Sequence, residues 1–306
     1  MNLKDKLLNP GIPLTFFEVV PPEADKPEAL DAVIREVGEV RHLVDAINLP
    51  EIHDEARGGE RTYRFVPRVE PRLLGERIQR EVSTEAVINR VVVRDPDPAR
   101  WFAESREKHG IEHVILVGGE SAQVHYPGPG PLGAARMIQQ AGLPVGLGGI
   151  IISSRPNEAE RIKAKRNAGM TFFTTQILFD SNDIVWLIQK LNGLEARVFL
   201  SFAPVSHPGD LKFLRWLGAD IPPSLDRFLL GEAASSPKET CFERSLDMAR
   251  RILMDVFDNL PPDPPLLGLN IEHVNRRNLP SAVQMLQRLG DLYADLVAAR
   301  IRGGLA

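Results

Sequence analysis

A single glutamate interrupts an otherwise apolar stretch near the start of the chain. Glu18 lies in the sequence FFEVVPP, whose apolar residues indicate a buried strand. A carboxyl group in such a strand is desolvated, which raises its pKa towards the range in which it can act as a general acid. The same glutamate could instead form a buried ion pair with an arginine that stabilises the fold. The pattern favours neither interpretation over the other.

Two further strand ends carry residues that could contact a planar ligand. Gly118 and Gly119 precede Glu120, and paired glycines let a ring or a phosphate group approach the backbone closely. A tight turn is the alternative, and the pattern alone slightly favours it. Gln176 lies within TFFTTQILFD, where its amide could donate to and accept from the edge of a heterocycle. An internal hydrogen bond to a neighbouring strand explains Gln176 equally well.

Basic residues near later strand ends could bind an anion. Lys165 lies in a predicted helix before the sixth strand, although most lysines in such positions are only solvated. Arg276 follows His273 and Asn275 at the end of the last strand, where a guanidinium could bind phosphate or carboxylate. We interpret His207 as a loop residue rather than a substrate contact. The sequence lacks H-E-x-x-H, a Walker loop, G-x-S-x-G and any cluster with metal-ligand spacing, so we predict no metal.

The elements that position these residues follow from an alternation of short apolar segments with longer amphipathic ones. We predict strands near 14–20, 42–49, 86–94, 113–119, 145–152, 171–179, 197–204 and 266–273. We predict helices at 27–41, 97–109, 130–141, 157–168, 182–193, 207–218, 237–259 and 279–296, with a further helix and an insertion at the mouth of the site within 50–84. This pattern is typical of a parallel sheet with crossover helices. Without a G-x-G-x-x-G turn, it favours an α/β fold with one (β/α)8 TIM barrel domain over 1–306, and disfavours an open doubly wound sheet.

Composition narrows the class of ligand. The formal net charge of −4 argues against a nucleic-acid-binding protein, which usually has a surplus of basic residues. No apolar run approaches the roughly 18 residues that span a bilayer, and the first residues lack the apolar core of a secretory signal. The one cysteine, Cys241, allows no internal disulfide. We therefore expect a cytoplasmic protein that acts on a small molecule and binds neither nucleic acid nor membrane.

Five segments, in order along the chain, resemble motifs of the methylenetetrahydrofolate reductase family. They are FFEVVPPE (16–23), GIEHVILVGGE (110–120), RIKAKRNAGMTFFTTQILFD (161–180), LSFAPVS (200–206) and HVNRRN (273–278). Each segment alone is a weak match. Their common order and similar spacing over almost the whole chain are specific for the family's fold and fairly specific for its folate site.

The resemblance assigns roles to five positions. It implies that Glu18 is the general acid of folate activation and that Gln176 contacts the pterin. It implies that Glu120 replaces an aspartate near flavin and pterin, that Lys165 matches a lysine of the flavin site, and that Arg276 matches the arginine of the last motif. We therefore expect Glu120, Gln176 and Arg276 to bind the folate and Lys165 to bind the cofactor.

Three segments depart from the family where it contacts flavin. Gly118, next to Gly119, replaces an arginine, Asn89 stands in the strand that carries a histidine beside the flavin, and 148–150 reads Gly-Gly-Ile in place of Tyr-Pro-Glu. We expect Asn89, Gly118, Gly119 and Lys165 to line whichever cofactor is bound.

The resemblance implies reduction of 5,10-methylenetetrahydrofolate to 5-methyltetrahydrofolate in the one-carbon metabolism that serves methionine biosynthesis. We predict NAD(P)H as the hydride donor and leave bound FAD open, with a slight preference for direct reduction by the nicotinamide. Two alternatives are a methyltransferase that acts on a methylated pterin and a non-catalytic folate-binding partner subunit. Association into a homo-oligomer also stays open.

Overall fold

Eight parallel strands form the centre of the computed structural model, which describes residues 1–55, 64–119, 124–231, 240–274 and 276–304. The strands are β1 Thr15–Val19, β2 Ala46–Pro50, β3 Glu85–Val91, β4 His113–Val117, β5 Gly146–Ile151, β6 Met170–Thr175, β7 Arg197–Phe202 and β8 Leu266–His273. They pair in chain order, and β1 also pairs with β8, so the sheet closes on itself. The predicted (β/α)8 TIM barrel is confirmed.

Helices surround this barrel. They are α1 Leu3–Leu7, α2 Pro27–Val40, α3 Pro71–Val82, α4 Pro98–His109, α5 Pro131–Gln140, α6 Glu158–Asn167, α7 Asn182–Lys190, α8 Pro208–Trp216, α9 Pro223–Leu230, α10 Cys241–Asp258 and α11 Leu279–Arg302. Six of them begin with a proline, whose fixed φ suits the first helical position and whose missing N–H would be unpaired there. The sequence interpretation missed α1 and α9, which are too short to show a clear helical period.

The segment 50–84 contains α3, as predicted, and a stretch that packs beside the first strand's loop. The Val69 N–H donates to the Pro22 carbonyl at 2.9 Å, and the Ala24 N–H donates to the Pro67 carbonyl at 3.0 Å. Because the loop after β1 leaves the carboxyl end of the barrel, this stretch lies at that end too. Residues 56–63, in the predicted insertion, lie outside the described residues.

Phenylalanine rings fill the lower part of the barrel interior. Phe16 stacks on Phe199 with ring centroids 3.8 Å apart, and Phe172 meets both rings edge-on. Glycines make room for them: a Cβ on Gly148 would lie 2.5 Å from the ring of Phe172, and one on Gly268 would lie 2.4 Å from the ring of Phe199. The glycine at 148 therefore has a packing role in this barrel.

The amino end of the barrel is closed by α1 and a buried arginine. Arg197, at the start of β7, donates to the backbone carbonyls of Leu7 at 2.8 Å, Asn9 at 2.7 Å and Leu267 at 2.6 Å. Burial lowers the pKa of this guanidinium. The guanidinium of Arg197 thus joins the N-terminal segment to the amino end of the barrel.

Candidate functional site

Polar side chains replace the phenylalanine rings at the carboxyl end of the barrel interior. Side chains alternate along a strand, so Glu18 on β1 faces the same side as Phe16, which lies in the interior apolar cluster. By the same alternation Asn48 on β2 follows Ala46, and Asn89 on β3 follows Val87. The barrel therefore changes from an apolar lower layer to a polar upper layer, which opens towards the face where barrel enzymes carry their active sites.

Hydrogen bonds join three of these residues. The Nδ2 atoms of Asn48 and Asn89 lie 3.3 Å and 3.5 Å from the same carboxylate oxygen, Oε2 of Glu18. A contact from β1 to β3 passes over the intervening strand, which places the carboxyl group of Glu18 within the barrel mouth. Glu18 is half-buried, whereas both asparagines are buried. Glu18, the predicted acid, and Asn89, a predicted cofactor contact, are thus brought together.

The asparagines of this layer each keep one unpaired end. The Oδ1 atoms of Asn48, Asn89 and Asn270 are buried and have no hydrogen-bond partner among the described residues. A buried polar atom without a partner costs about 1–3 kcal/mol, and three at one end of a barrel are an unusual concentration. The upper layer therefore contains hydrogen-bonding groups that the described part of the chain does not use.

A second carboxyl group belongs to this layer. Glu272 on β8 follows Asn270, whose Nδ2 donates to Glu272 Oε1 at 3.3 Å and to the Ser201 hydroxyl at 2.9 Å. Burial raises the pKa of Glu272 to about 7, although a hydrogen bond with Ser201 acts to lower it. The sequence interpretation missed Glu272, Asn270 and Asn48. The signal available was polar residues two apart in the apolar strand LLGLNIEH.

Gln176 is held by the loop that follows α8. Its Nε2 donates to the Leu217 carbonyl at 3.0 Å, and the side chain is half-buried. The alternative of an internal hydrogen bond thus applies, although the acceptor is a loop and not a neighbouring strand. Recognition of a pterin by Gln176 stays a prediction.

Lys165 also bonds to the protein itself. Its Nζ donates to the Ile150 carbonyl near the end of β5 at 2.7 Å. Burial lowers the pKa of this amine, while the carboxylate of Glu158 acts in the opposite direction. The lysine thus reaches the carboxyl end of the barrel from α6, as its predicted role requires, but it does so bound to the backbone.

The two glycines after β4 differ in their surroundings. A Cβ on Gly118 would meet only ordinary contacts with Pro131, whereas a Cβ on Gly119 would lie 2.3 Å from the ring of Tyr126. The tyrosine ring therefore occupies the space beside Gly119 that we predicted for a cofactor. Arg94 lies over the same ring, 5.8 Å from its centroid. Glu120 lies outside the described residues.

The residues at the later strand ends make contacts within the protein. Arg276 donates to the carboxylate of Glu36 on α2 at 2.8 Å, and its side chain is half exposed. His207 caps the start of α8 together with Asp210, which supports its interpretation as a loop residue. His273 is buried, with its ring parallel to that of Phe17, whose side chain lies in the outer apolar cluster. Asn275 lies outside the described residues.

Neither a metal-binding cluster nor a membrane-spanning helix is present in the described part of the chain. No three histidine, cysteine, aspartate or glutamate side chains there are placed to hold a metal ion. None of the helices there combines the length and the apolar character that crossing a bilayer requires.

Comparison with known proteins shows similarity of fold alone. No protein-family profile matches the sequence, and no curated protein matches it. An uncharacterized protein from Clostridium thermocellum that binds two copies of 5-methyl-5,6,7,8-tetrahydrofolic acid is 19% identical, with a TM-score of 0.74 over 95% of this chain and 99% of that chain.

Two enzymes share the architecture less closely. Dihydropteroate synthase from Xanthomonas albilineans, solved with 4-aminobenzoic acid, is 13% identical, with a TM-score of 0.50 over 95% of this chain and 97% of that chain. The lyase that acts on 2,3-dimethylmalate, of the PEP mutase/isocitrate lyase superfamily, is 13% identical, with a TM-score of 0.50 over 95% of this chain and 85% of that chain. Such identities establish a common barrel and leave the chemistry to be argued from the site.

Proposed function

We propose that the barrel mouth binds a reduced folate and that the protein reduces 5,10-methylenetetrahydrofolate to 5-methyltetrahydrofolate with NAD(P)H as hydride donor. The observation that carries the proposal is Glu18, a half-buried carboxyl group in the barrel mouth that two asparagine amides hold in place. Support also comes from the five segments that resemble the reductase family. The Clostridium thermocellum protein of the same fold binds the proposed product.

The polar layer suits the pterin part of such a substrate. The pyrimidine ring of a pterin presents an amino group and ring N–H groups along one edge, and these need acceptors. The amide oxygens of Asn48, Asn89 and Asn270 are buried acceptors that no described residue satisfies. Because an amide that is turned over offers a donor instead, the same residues can also serve the carbonyl and ring nitrogens of the pterin.

Glu18 supplies the proton in the reaction that we propose. Its protonated carboxyl group donates to N10 of the substrate as the bond between N10 and the bridging carbon breaks. The electron pair of N5 then forms an iminium with that carbon. A hydride from the nicotinamide adds to the iminium carbon and gives the methyl group. General acid assistance of this kind contributes about 10²–10⁴-fold to a rate.

A resident flavin does not fit the contacts that these residues make. The amide of Asn89 is directed to Glu18, the ammonium of Lys165 to the Ile150 carbonyl, and the space beside Gly119 holds the ring of Tyr126. We therefore propose direct transfer from NAD(P)H without bound FAD. The measurement is the visible spectrum of the purified protein together with NADH oxidation by methylenetetrahydrofolate without added flavin. A stoichiometric flavin spectrum would contradict the direct transfer.

A second candidate function is that of a folate-binding barrel, either a methyltransferase that acts on a methylated pterin or a non-catalytic partner subunit that binds folate. The specific observation in its favour is that the Clostridium thermocellum protein binds 5-methyltetrahydrofolate. The two functions separate in one experiment, in which calorimetry with 5-methyltetrahydrofolate is combined with the NADH oxidation assay. Binding with NADH oxidation supports the reductase. Binding without it supports the second candidate.

Replacement of Glu18 by glutamine tests its role directly. Glu18→Gln keeps the shape and the hydrogen-bonding capacity of the side chain but cannot supply the proton. We expect turnover to fall by about 10²–10⁴-fold while folate affinity is nearly unchanged. Glu243→Gln, which removes the same charge from an exposed pair with Arg288, is the matched control and should keep full activity. Unchanged turnover in Glu18→Gln would remove Glu18 from the mechanism.

A further inference from the structure

The two carboxyl groups of the barrel mouth lie on neighbouring strands at the same level. Glu18 on β1 and Glu272 on β8 are direct partners in the strand register. Adjacent strands lie about 4.8 Å apart, and partners in register project to the same face. Since Glu18 faces the barrel interior, Glu272 faces it as well. The two carboxyl groups therefore share one half-buried space.

The groups around Glu272 do little to stabilise its ionised carboxylate. Ser201 on β7 and Asn270 on β8 bond to it, both of them neutral. Glu18 is the titratable group that faces it from β1, while Asn48 on β2 stands on the far side of Glu18. Within the described residues, no lysine, arginine or histidine forms an ion pair with Glu272. Two carboxylates that share such a space cannot both ionise without strong repulsion.

We propose that Glu18 and Glu272 form a carboxyl pair that shares one proton at neutral pH, and that Glu272 thereby keeps Glu18 able to act as the acid. Glu272 is a positioning residue in this scheme, because it acts through Glu18. When Glu18 gives its proton to N10, both carboxyl groups are ionised. Their repulsion favours the uptake of one proton from water, which restores the pair for the next turnover.

The existence of the pair can be tested without any turnover, whereas the role of Glu272 in catalysis rests on the proposed function. Carbon-13 NMR of protein labelled at the glutamate carboxyl carbons follows each titration in wild type, Glu18→Gln and Glu272→Gln. We expect the Glu272 midpoint to fall by at least about one pH unit in Glu18→Gln. The midpoint of Glu18 should fall likewise in Glu272→Gln, so either variant suffices if the other does not fold. A Glu272 midpoint that does not move in Glu18→Gln, or a Glu18 midpoint that does not move in Glu272→Gln, would overturn the pair.

Kinetics then separate this inference from the proposed function. In Glu272→Gln the pH above which kcat declines should fall by at least about one unit, with KM little changed, whereas Glu243→Gln should leave the profile in place. An unshifted profile would overturn the positioning role of Glu272. A wild-type protein without NADH oxidation would reject the reductase function, while the NMR titrations would still decide whether the pair exists.

Discussion

At the scale of single residues, the barrel mouth contains buried polar atoms that the described part of the chain leaves unpaired. Asn48 and Asn270 are almost completely buried, and each keeps an amide oxygen without a partner among the described residues. Unpaired buried polar atoms destabilise a fold unless something else satisfies them. Residues that lower stability in this way are expected where a ligand completes their hydrogen bonds.

Asn48→Leu tests that interpretation through its separate effects on stability and on folate affinity. Leucine has the branched shape of asparagine without its polar atoms. Loss of the unpaired oxygen stabilises the fold and loss of the hydrogen bond to Glu18 destabilises it, so the free energy of unfolding should change by less than about 1 kcal/mol. Folate affinity should fall about tenfold, because an acceptor for the pterin is lost. Chemical denaturation and calorimetry measure the two effects. Asn259→Leu, at the exposed end of α10, is the matched control and should leave affinity unchanged. A loss of affinity equal in both variants would contradict the role of Asn48.

At the scale of the elements, the strands position the site by filling the barrel beneath it. The stacked rings of Phe16 and Phe199 form a floor, and glycines on β5 and β8 leave the space for them. Glu18 is two residues from Phe16, and Asn270 is two residues from Gly268. A disturbance of the floor is therefore transmitted to the polar layer directly above it.

Gly268→Ala should destabilise the barrel and loosen the site together. The added methyl group would meet the Phe199 ring at 2.4 Å, and overpacking of this kind costs about 1–3 kcal/mol. Urea denaturation and folate affinity measure the two effects. Gly290→Ala on α11 is the control, since its Cβ would meet nothing within 4 Å, and it should stabilise the helix by about 0.5–1 kcal/mol. Equal stability in the two variants would show that the floor can adjust.

At the scale of the whole molecule, the half-buried carboxyl group of Glu272 links stability to pH. Its pKa rises on folding from an ordinary value of 4.5 to about 7 because burial favours the neutral form. Between these values the folded protein keeps a proton that the unfolded chain has released. Stability therefore decreases as pH rises through this range and levels off above about pH 7.

Glu272→Gln should remove this decrease. We expect the variant to be more stable than wild type above pH 7 by about 2–3 kcal/mol, with the difference vanishing near pH 4.5. Guanidinium denaturation at a series of pH values provides the measurement, and Glu243→Gln should follow the wild-type curve. A constant difference between variant and wild type at every pH would show that the stability effect does not come from titration of Glu272.

Much of the fold could be predicted from the chain because local physics specifies it. Apolar segments too continuous for a one-sided sheet indicate strands buried on both faces, and prolines mark where helices such as α2 and α8 begin. Glu18 could be recognised as a candidate because a charged residue within such a strand is rare. Asn89, by contrast, was identified only through the resemblance to the reductase family.

The closure of the barrel decided which residues became neighbours of Glu18. Sequence alone does not set which strands become neighbours, and β1 meets β8 only because the sheet closes, so the approach of Glu272 to Glu18 had no local signal. Strands buried on both faces also lack the alternation that would show which side chains face inward. The sequence thus determined a barrel and one candidate residue, Glu18. The tertiary structure decided the placement of Glu272 beside it, the floor and the contacts of Arg276, because these depend on distances between residues far apart in sequence.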